Sequence, residues 1–474
     1  GEDARIQAQS LANSGRLAAG RDLSIALQHN FSSQADIEAG RRLSIESAGR
    51  LNNRHTLQGG ESVHLSATDI DNSTGGSIQS GNETRLSAAQ SLSNRGLINS
   101  NGLTLIEAGT TLLNSGSGRI YGNHVALAAT DLINRDEQEK SAAIAARRQL
   151  DIGAQNIINQ EGALLSSEGR LNIGGRLGNT HEAEGSAYTL TNAGARIEAQ
   201  GSARIAAARL DNLNPHFAVE EYLVSQENIT HYRYVGQAEP FFTEGKDGHA
   251  AKHRTNVAFH YNDGRPDTHI ERYDAQGVVK SDYNQKIYKQ RITSSTPGEI
   301  IIGGNLHISG DAWRNQNSQI LAGGTIEGNL KAADKALIEN HATPATVRTE
   351  NSGYSRRGSY DRHGRGRRHI DFDKDVTPVT SPPATTEPFA QAISIVEQRV
   401  ADLPAHAGAA AEANTAISAV NTDARLPEIR SIAANTRLPG RSLFNIHPAR
   451  QGYLIETDPA FTDYTRWLSS DYTL

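Results

Sequence analysis

Two histidines four residues apart, His249 and His253, have a spacing that suits metal binding, and Asp247 lies beside them. On a helix this spacing would place both imidazoles on one face. Gly245 and Gly248 indicate a loop instead, because glycine weakens a helix, and no third ligand lies at a fixed spacing. Cysteine is absent, which removes thiolate sites and disulfides. We therefore predict no metal site and no cofactor.

Aspartates recur along the first half of the chain and would be the acid–base groups of an enzyme if they converged on one surface. They are Asp69, Asp71, Asp131, Asp151 and Asp211. They recur one at a time where the repeat described below is expected to turn, which is typical of turn-forming residues. No Gly-x-Ser-x-Gly and no His-Glu-x-x-His occurs. We predict no catalytic residue and no enzyme; the alternative is a polysaccharide-active lyase or hydrolase built from β coils.

An arginine-rich stretch is the strongest local charge in a chain whose net charge is −6. Guanidinium groups pair with carboxylates and phosphates, so these arginines could bind an anionic glycan or a nucleic acid. A solvated loop is the simpler interpretation, and without a global positive field we expect no nucleic-acid partner. The possible anion-binding residues are Arg362, Arg365, Arg367 and Arg368.

Aromatic residues concentrate in residues 213–297, which hold half of the 14 tyrosines. Alternating segments such as His231–Val235 and Val257–Tyr261, together with glycine-containing turns, predict antiparallel hairpins. Because aromatic rings give rigid contact area at low entropic cost, we predict that this segment is a recognition head. The candidate target-binding residues are Tyr232, Tyr234, Phe241, Phe242, His260, Tyr261 and Arg272.

A repeat organises the chain that must carry these residues. Thr111–Asn114 returns as Asp131–Asn134, and an apolar-x-Asn phrase recurs from Leu11–Asn13 to Leu210–Asn212. Apolar residues alternate between the phrases, which is the period of a strand. A strand-forming unit repeated about every 20 residues is typical of a solenoid with stacked coils, so residues 1–212 are predicted to form roughly ten coils.

Asparagine closes the repeated phrase, and its amide has a role in such a stack. Each amide can bond the asparagine of the next coil, at the strand spacing of about 4.8 Å. Ser33 stands where one asparagine is missing, and Thr104, between two phrases, is expected to face solvent. The predicted structural ladder is Asn53, Asn72, Asn94, Asn114, Asn134, Asn159 and Asn212.

The predicted fold is all-β, and five segments follow from where the repeat stops and resumes. The chain has no run of about 18 apolar residues, so no membrane span is predicted. The segments are a β-helix at 1–212, an inserted antiparallel β subdomain at 213–297, further coils at 298–345, a largely extended linker region, Arg-rich and then Pro-rich, at 346–440, and a compact C-terminal block at 441–474.

Two segments resemble a known family. Residues 317–324, which read NSQILAGG, are similar to a coil of the haemagglutinin repeats in filamentous haemagglutinin-type exoproteins of two-partner secretion systems. Residues 453–472 resemble a block of these proteins and of the related contact-dependent growth inhibition filaments. The resemblance implies a right-handed parallel β-helix, export through an outer-membrane secretion partner, and a place at the bacterial cell surface. It also implies a stalk or adhesin whose receptor, a protein or a glycan, lies on a target cell.

Overall fold

Two compact units make up the described part of the protein. The structure, a computed structural model, describes residues 2–330, 339–363, 367–389, 398–399, 453–456, 468–469 and 472–473. The first unit comprises the residues up to Ala218, Thr293–Thr343 and the described residues beyond 397; the second comprises Val219–Ile292 and Pro344–Phe389. Among the described residues the one helical element is a 3-10 turn at Ala275–Gly277.

The first unit is a β-solenoid, which confirms the predicted all-β fold. Each full coil contributes strands to three faces, and these strands pair in parallel with their equivalents in the next coil. The strands are Ala4–Ala8, Leu17–Ala19, Asp22–Leu27, Phe31–Ser32, Ile37–Ala39, Arg42–Ser47, Arg50–Asn53, Thr56–Gly59, Ser62–Asn72, Ser77–Ser80, Glu83–Asn94, Leu97–Ser100, Leu103–Ala108, Thr111–Ser115, Arg119–Glu137, Lys140–Ser141, Ala143–Gln160, Leu164–Ser167, Arg170–Gly174, Arg176–Leu177, Ala183–Glu184, Ala187–Ala193, Arg196–Ala199, Ala203–Leu213, Glu299–Ile302, Leu306–Gly310, Ala312–Gln316, Gln319–Ala322, Ile326–Leu330 and Glu339–His341. Beyond residue 397 the described strands are Gln398–Arg399, Tyr453–Glu456, Leu468–Ser469 and Tyr472–Thr473.

Three rows of apolar side chains, one from each face, fill the interior. None of these side chains is more than 2% exposed, and each row follows the strand register from coil to coil. Because one coil buries its apolar side chains only against its neighbours, the solenoid is stabilised by stacking. The rows are Ile25, Ile45, Leu65, Leu86, Ile106, Leu127, Ile152, Ile173, Ile205 and Ile308; Phe31, Leu51, Ile70, Leu92, Leu112, Leu132, Ile157, Leu190, Leu210 and Trp313; and Ile37, Leu57, Ile78, Ile98, Ile120, Ile144, Leu165, Ile197, Ile300 and Ile320.

A row of asparagine amides runs alongside the apolar rows. The amide of Asn114 donates to the side-chain oxygen of Asn134 at 2.8 Å and to the backbone carbonyl of Ala143 at 3.2 Å. Ser33 donates to Asn53 at 2.9 Å and so occupies the first position of the row. Every asparagine of the row is fully buried. In order, the members are Asn53, Asn72, Asn94, Asn114, Asn134, Asn159, Asn192, Asn212 and Asn315.

Thr104 is buried, so the expectation that it faces solvent is wrong. It aligns with Thr84 in the preceding coil and Val125 in the next, which occupy an inward position. Its hydroxyl donates to the backbone carbonyl of Tyr121 at 2.7 Å, which satisfies the polar group inside the coil. The alternating apolar residues around Leu103 are shifted by one residue relative to those of the other coils. A shift of one residue exchanges the two faces of a strand.

Three insertions interrupt the coils without disturbing the stacking. A hairpin joins Asp136 to Ser141, and a second joins Arg176 to Glu184. The third insertion leaves after Leu213, and the coil resumes at Glu299, which pairs with Arg196. The stacking register is therefore the same after insertions of very different length, because the chain returns beside the same strands after each one.

The second unit is built from antiparallel sheets. Its larger sheet has the strand order Phe242–Thr243, Ala218–Tyr234, Val278–Ser294, Ala345–His363 and Arg367–Pro378, and Thr385–Glu387 pairs with Ala345–His363. Its smaller sheet comprises Gly248–Lys252, Asn256–Tyr261 and Thr268–Glu271. The predicted antiparallel insertion is therefore present, and residues 344–389 belong to the same unit.

The Arg-rich part of the predicted linker is strand rather than extended chain. Arg348 opposes Tyr288 in the sheet, and its guanidinium group lies 4.3 Å from the centre of that ring. The same group bonds both carboxylate oxygens of Glu221, at 2.9 and 2.7 Å. Glu221, two strands away in the same sheet, neutralises the charge, so the arginine does not keep this segment unfolded. The remainder of the predicted linker, residues 390–397 and 400–440, lies outside the described residues.

The amide row generates a stability prediction. Asn114→Leu should lower the free energy of unfolding by about 1–3 kcal/mol, because a buried backbone carbonyl and two neighbouring amides lose their partner. The matched control is Asn101→Leu, since Asn101 is exposed at a coil corner; its expected effect is within about 0.5 kcal/mol. Urea unfolding followed by circular dichroism measures both. Equal losses for the two variants would contradict a stabilising role for the row.

Candidate functional site

The candidate site is the surface of the second unit, and it is arranged around an aromatic core. The rings of Tyr232 and Phe259 lie 5.0 Å apart in an edge-to-face contact, and Phe242 lies 4.8 Å from Phe259. Burial raises the pKa of the Tyr232 hydroxyl to about 12. The small sheet contributes Val257, Phe259 and Ile270 to this core. These rings are held by one another, as offset and edge-to-face aromatic pairs usually are.

Tyr232 and Phe242 are therefore core residues, and their predicted role in target binding is wrong. Tyr232 is 6% exposed and Phe242 is not exposed at all. Strand alternation identifies which residues share a face but not which face another layer covers. The cluster of Phe242, Val257 and Phe259 covers the face of Tyr232 at this end of the sheet.

Tyr234 and Phe241 form the first exposed group. Tyr234 is 52% exposed and stacks on the half-buried ring of Phe241, with 4.6 Å between ring centres and 26° between ring planes. Tyr234 lies two residues beyond the buried Tyr232, at the end of its strand. The core thus fixes Phe241, and Phe241 in turn supports an outward-facing tyrosine.

A second exposed group surrounds the turn after strand Asn256–Tyr261. The guanidinium carbon of Arg265 lies 4.2 Å from the centre of the Tyr261 ring, and Asp263 bonds the same guanidinium group at 2.8 Å. His260 and Asp267 pair at 2.6 Å across the hairpin. This group presents one ring and four charged or titratable side chains in a fixed arrangement.

Arg272 belongs to a third exposed group with two tyrosines. Its guanidinium carbon lies 4.5 Å from the centre of the Tyr273 ring and 5.9 Å from that of Tyr360. A hydrogen bond from Arg272 to the Tyr273 hydroxyl, 2.6 Å long, further fixes the pair. Tyr273 is 69% exposed, the highest value among the large apolar side chains of the described residues. Tyr273 was not among the residues predicted from the sequence. Its position next to an arginine in a predicted turn was the available signal.

Two further candidates from the sequence are the histidine pair and the possible anion-binding arginines, of which the latter stay a prediction. His249 pairs with Glu244 at 2.5 Å, and no group of three potential metal ligands occurs in the part of the chain that the structure describes. Arg365 lies outside that part. Arg362, Arg367 and Arg368 are described only as backbone, in the hairpin between Ala345–His363 and Arg367–Pro378.

The aspartates of the solenoid lie within strands, so their predicted role in turns is wrong. Asp69 accepts a bond from Ser91, Asp131 from Asn156, and Asp211 from Arg209 and Arg314. Each carboxylate is thus bonded to its own neighbours, on the same or an adjacent coil.

Asp151 is the exception in being fully buried. It pairs with His124 at 2.8 Å and accepts bonds from the side chains of Asn172 and Gln149 and from the backbone N–H of Ala183. Burial favours the neutral form, but these bonds outweigh it and hold the pKa of Asp151 below its usual value. The bond to Ala183 shows that Asp151 anchors the Arg176–Glu184 hairpin against the coil.

Comparison with known proteins relates the solenoid to a defined repeat. A family model for the haemagglutinin repeat matches more than half of the chain, at residues 3–55, 55–136, 122–181, 168–219 and 285–338. The tRNA nuclease CdiA of Yersinia mollaretii is 24% identical over 335 residues, which are 65% of this chain and 10% of that relative. The chain thus spans about a tenth of the length of this relative. No solved structure matches the chain. Among the described residues no helix is long and apolar enough to cross a membrane.

The two tyrosines of one strand generate the next prediction. Tyr232→Ala should lower the free energy of unfolding of the second unit by about 3 kcal/mol, because it leaves a cavity among the rings of Phe242, Phe259 and Phe372. The matched change Tyr234→Ala should cost about 1 kcal/mol or less, since only one face of that ring is covered. Amide hydrogen exchange across Asn256–Tyr261 reports the stability of this unit. Similar exchange in both variants would contradict the assignment of Tyr232 to the core.

Proposed function

Because the chain belongs to the haemagglutinin-repeat family, we propose that it is a non-enzymatic segment of a secreted bacterial surface filament. In this proposal the solenoid serves as stalk and the second unit binds a receptor, protein or glycan, on a target cell. The full-length protein would leave the cell through an outer-membrane secretion partner. The nuclease activity in the name of the relative is not carried over, since the chain spans only about a tenth of that protein.

The observation that carries the proposal is the contrast between the two units in exposed aromatic side chains. The second unit presents Tyr234, Tyr273 and Tyr354, each about half or more exposed, and arginines lie over several of its tyrosine rings, among them Tyr261 and Tyr273. In the solenoid before residue 213, Tyr188 is the one large apolar side chain with comparable exposure among the described residues. Tyrosine and arginine are enriched among the residues that dominate binding energy at interfaces.

The arrangement of these side chains supports binding rather than catalysis. The arginine–tyrosine pairs are exposed and held in place, which lowers the entropic cost of ordering them on a receptor. They lie at turns and strand ends, and the carboxylates of Asp263 and Asp267 are each paired with a neighbouring side chain. Such surfaces favour association with a large partner, because a protein or an extended glycan can cover several groups at once.

Loss of the Arg272 group tests the proposal. The double variant Arg272→Ala with Tyr273→Ala should reduce attachment to target cells by at least about tenfold, the effect of removing one interfacial hot spot. Its unfolding transition should remain nearly unchanged, because Tyr273 is exposed and Arg272 is only half-buried. Binding of the fluorescently labelled full chain to panels of intact bacterial and host cells, read by flow cytometry, measures the effect.

The matched control is Tyr188→Ala, which removes an equally exposed tyrosine from the solenoid. Full attachment by the control and loss in the double variant would support recognition by the second unit. Unchanged attachment in variants of all three exposed groups would contradict it. Turnover of a polyanionic polysaccharide, detected as new reducing ends or unsaturated products, would instead favour the enzyme alternative.

A further inference from the structure

One strand of the second unit has an unprotected edge. Ala218–Tyr234 lies second in its sheet, but its outer neighbour Phe242–Thr243 pairs only with His231 and Tyr232. Among the residues that the structure describes, no strand pairs with the outer edge from Ala218 to Ile229. The unpaired N–H and C=O groups of such an edge are a template for another strand, so proteins usually protect them with charges, bulges or covering loops.

This edge instead exposes apolar side chains on both faces of the sheet. Tyr222, Leu223 and Val224 are consecutive and are 37%, 47% and 46% exposed. Strand alternation places Leu223 on one face and Tyr222 and Val224 on the other. An incoming strand would therefore gain apolar contacts above and below the backbone hydrogen bonds.

The acidic residues of this strand do not protect the edge, because basic groups of their own sheet neutralise two of them. Glu220 accepts a bond from Arg291 at 2.6 Å, and Glu221 is bonded by Arg348 at 2.7 Å. The Arg348 guanidinium holds the pKa of Glu221 below its usual value. Only Glu227 of this segment has no charged partner among the described side chains, and it lies toward one end of the free edge.

We propose that a second copy of this chain pairs with the edge Ala218–Asn228, antiparallel and about a two-fold axis at Leu223. Such an isologous contact closes after two copies. The axis must stand perpendicular to the sheet, because it brings two edges together and reverses the strand direction. It keeps each side chain on its own face, so opposed residues have the same parity, and the sum of their numbers is even.

Charge and hydrophobicity select one of the even registers. With Leu223 opposite Leu223, Tyr222 opposes Val224 on both sides of the axis, and Glu221 opposes Ser225. Aromatic and β-branched residues form favourable cross-strand pairs. A shift that centres the pair on Val224 brings Tyr222 opposite Gln226 and Leu223 opposite Ser225, which loses both apolar matches, and places the unpaired charge of Glu227 opposite another glutamate. A shift that centres it on Tyr222 brings Glu221 opposite Leu223, which loses the apolar match.

Cysteine variants test the register directly, because the chain contains no cysteine. Opposed residues of an antiparallel pair have Cα atoms about 4.5–5.5 Å apart, which is within the range that a disulfide spans. Leu223→Cys should therefore give a disulfide-linked dimer of the full chain under mild oxidation. Tyr222→Cys and Val224→Cys should cross-link when mixed, and each alone several-fold less, since identical residues are then diagonal and about 7–8 Å apart.

Val376→Cys is the control for adventitious oxidation, because Val376 is in the same unit and 52% exposed. Cross-linking of the control as fast as Leu223→Cys would overturn the proposal. So would efficient cross-linking of Tyr222→Cys alone, which would place the axis elsewhere.

The association itself is measured without cross-linking. Sedimentation velocity of the full chain should show a dimer at micromolar concentration, and Val224→Lys should raise its dissociation constant by at least about tenfold. Val376→Lys, the matched change on the same unit, should leave it unchanged. A monomeric wild-type chain at 100-fold higher concentration, or a dimer that Val224→Lys does not weaken, would overturn the proposal. Either result leaves receptor binding intact, because that function uses other side chains.

Discussion

A buried amide must find a partner, and in this solenoid the partner lies one coil away. Each asparagine from Asn53 to Asn212 in the row donates to its neighbour and to a carbonyl of the next coil, as Asn212 does to Asn315 and Gln319. No water reaches these fully buried groups to replace a lost bond. The row therefore fixes where every coil must place one residue, and the three apolar rows follow from that register.

The bonding of one asparagine to the next fixes where each asparagine lies in its coil, but it does not fix how many residues separate them in the chain. Asn192 and Asn212 bond at 2.8 Å across 20 residues, and Asn212 and Asn315 bond at the same distance across 103. An insertion costs the stack little, provided that the chain leaves and returns beside the same strands. A solenoid of this kind can thus carry an independent folded unit, and binding surfaces are commonly found on such excursions.

The sequence predicted well those features of the solenoid that recur in the same local environment in every coil. The ladder asparagines and the alternating apolar residues recur in equivalent surroundings, so each copy supports the interpretation of the others. Thr104 was misassigned because a polar residue fills an inward position in one coil, where its hydroxyl finds a carbonyl. Asp151 was misassigned because one of its partners, the N–H of Ala183, comes from a hairpin 32 residues away, and His124 comes from another coil. Neither hydrogen bond can be predicted from the repeat pattern of the sequence.

The second unit was harder to predict because its contacts are non-local and unrepeated. Alternation marked Tyr232 and Tyr234 as sharing a face, but only the packing of Phe259 and Phe242 decides that one is core and the other surface. The arginines after residue 347 looked typical of a solvated linker because some of their counter-charges lie far along the chain. Arg348 meets Glu221 across 127 residues, a pairing that no local pattern encodes.

The same pairing explains how the sheet of the second unit differs from the solenoid in its edges. In the described coils of the solenoid, strands away from the ends of the stack have parallel neighbours in the coils before and after them. The sheet of the second unit has lateral edges, and its glutamates at 220 and 221 are held by Arg291 and Arg348 rather than left free to repel another strand. Stabilising the sheet internally thus removes the charge that would protect its outer strand. An apolar Tyr-Leu-Val edge is the consequence, and it is the surface at which we propose that a second copy of the chain pairs.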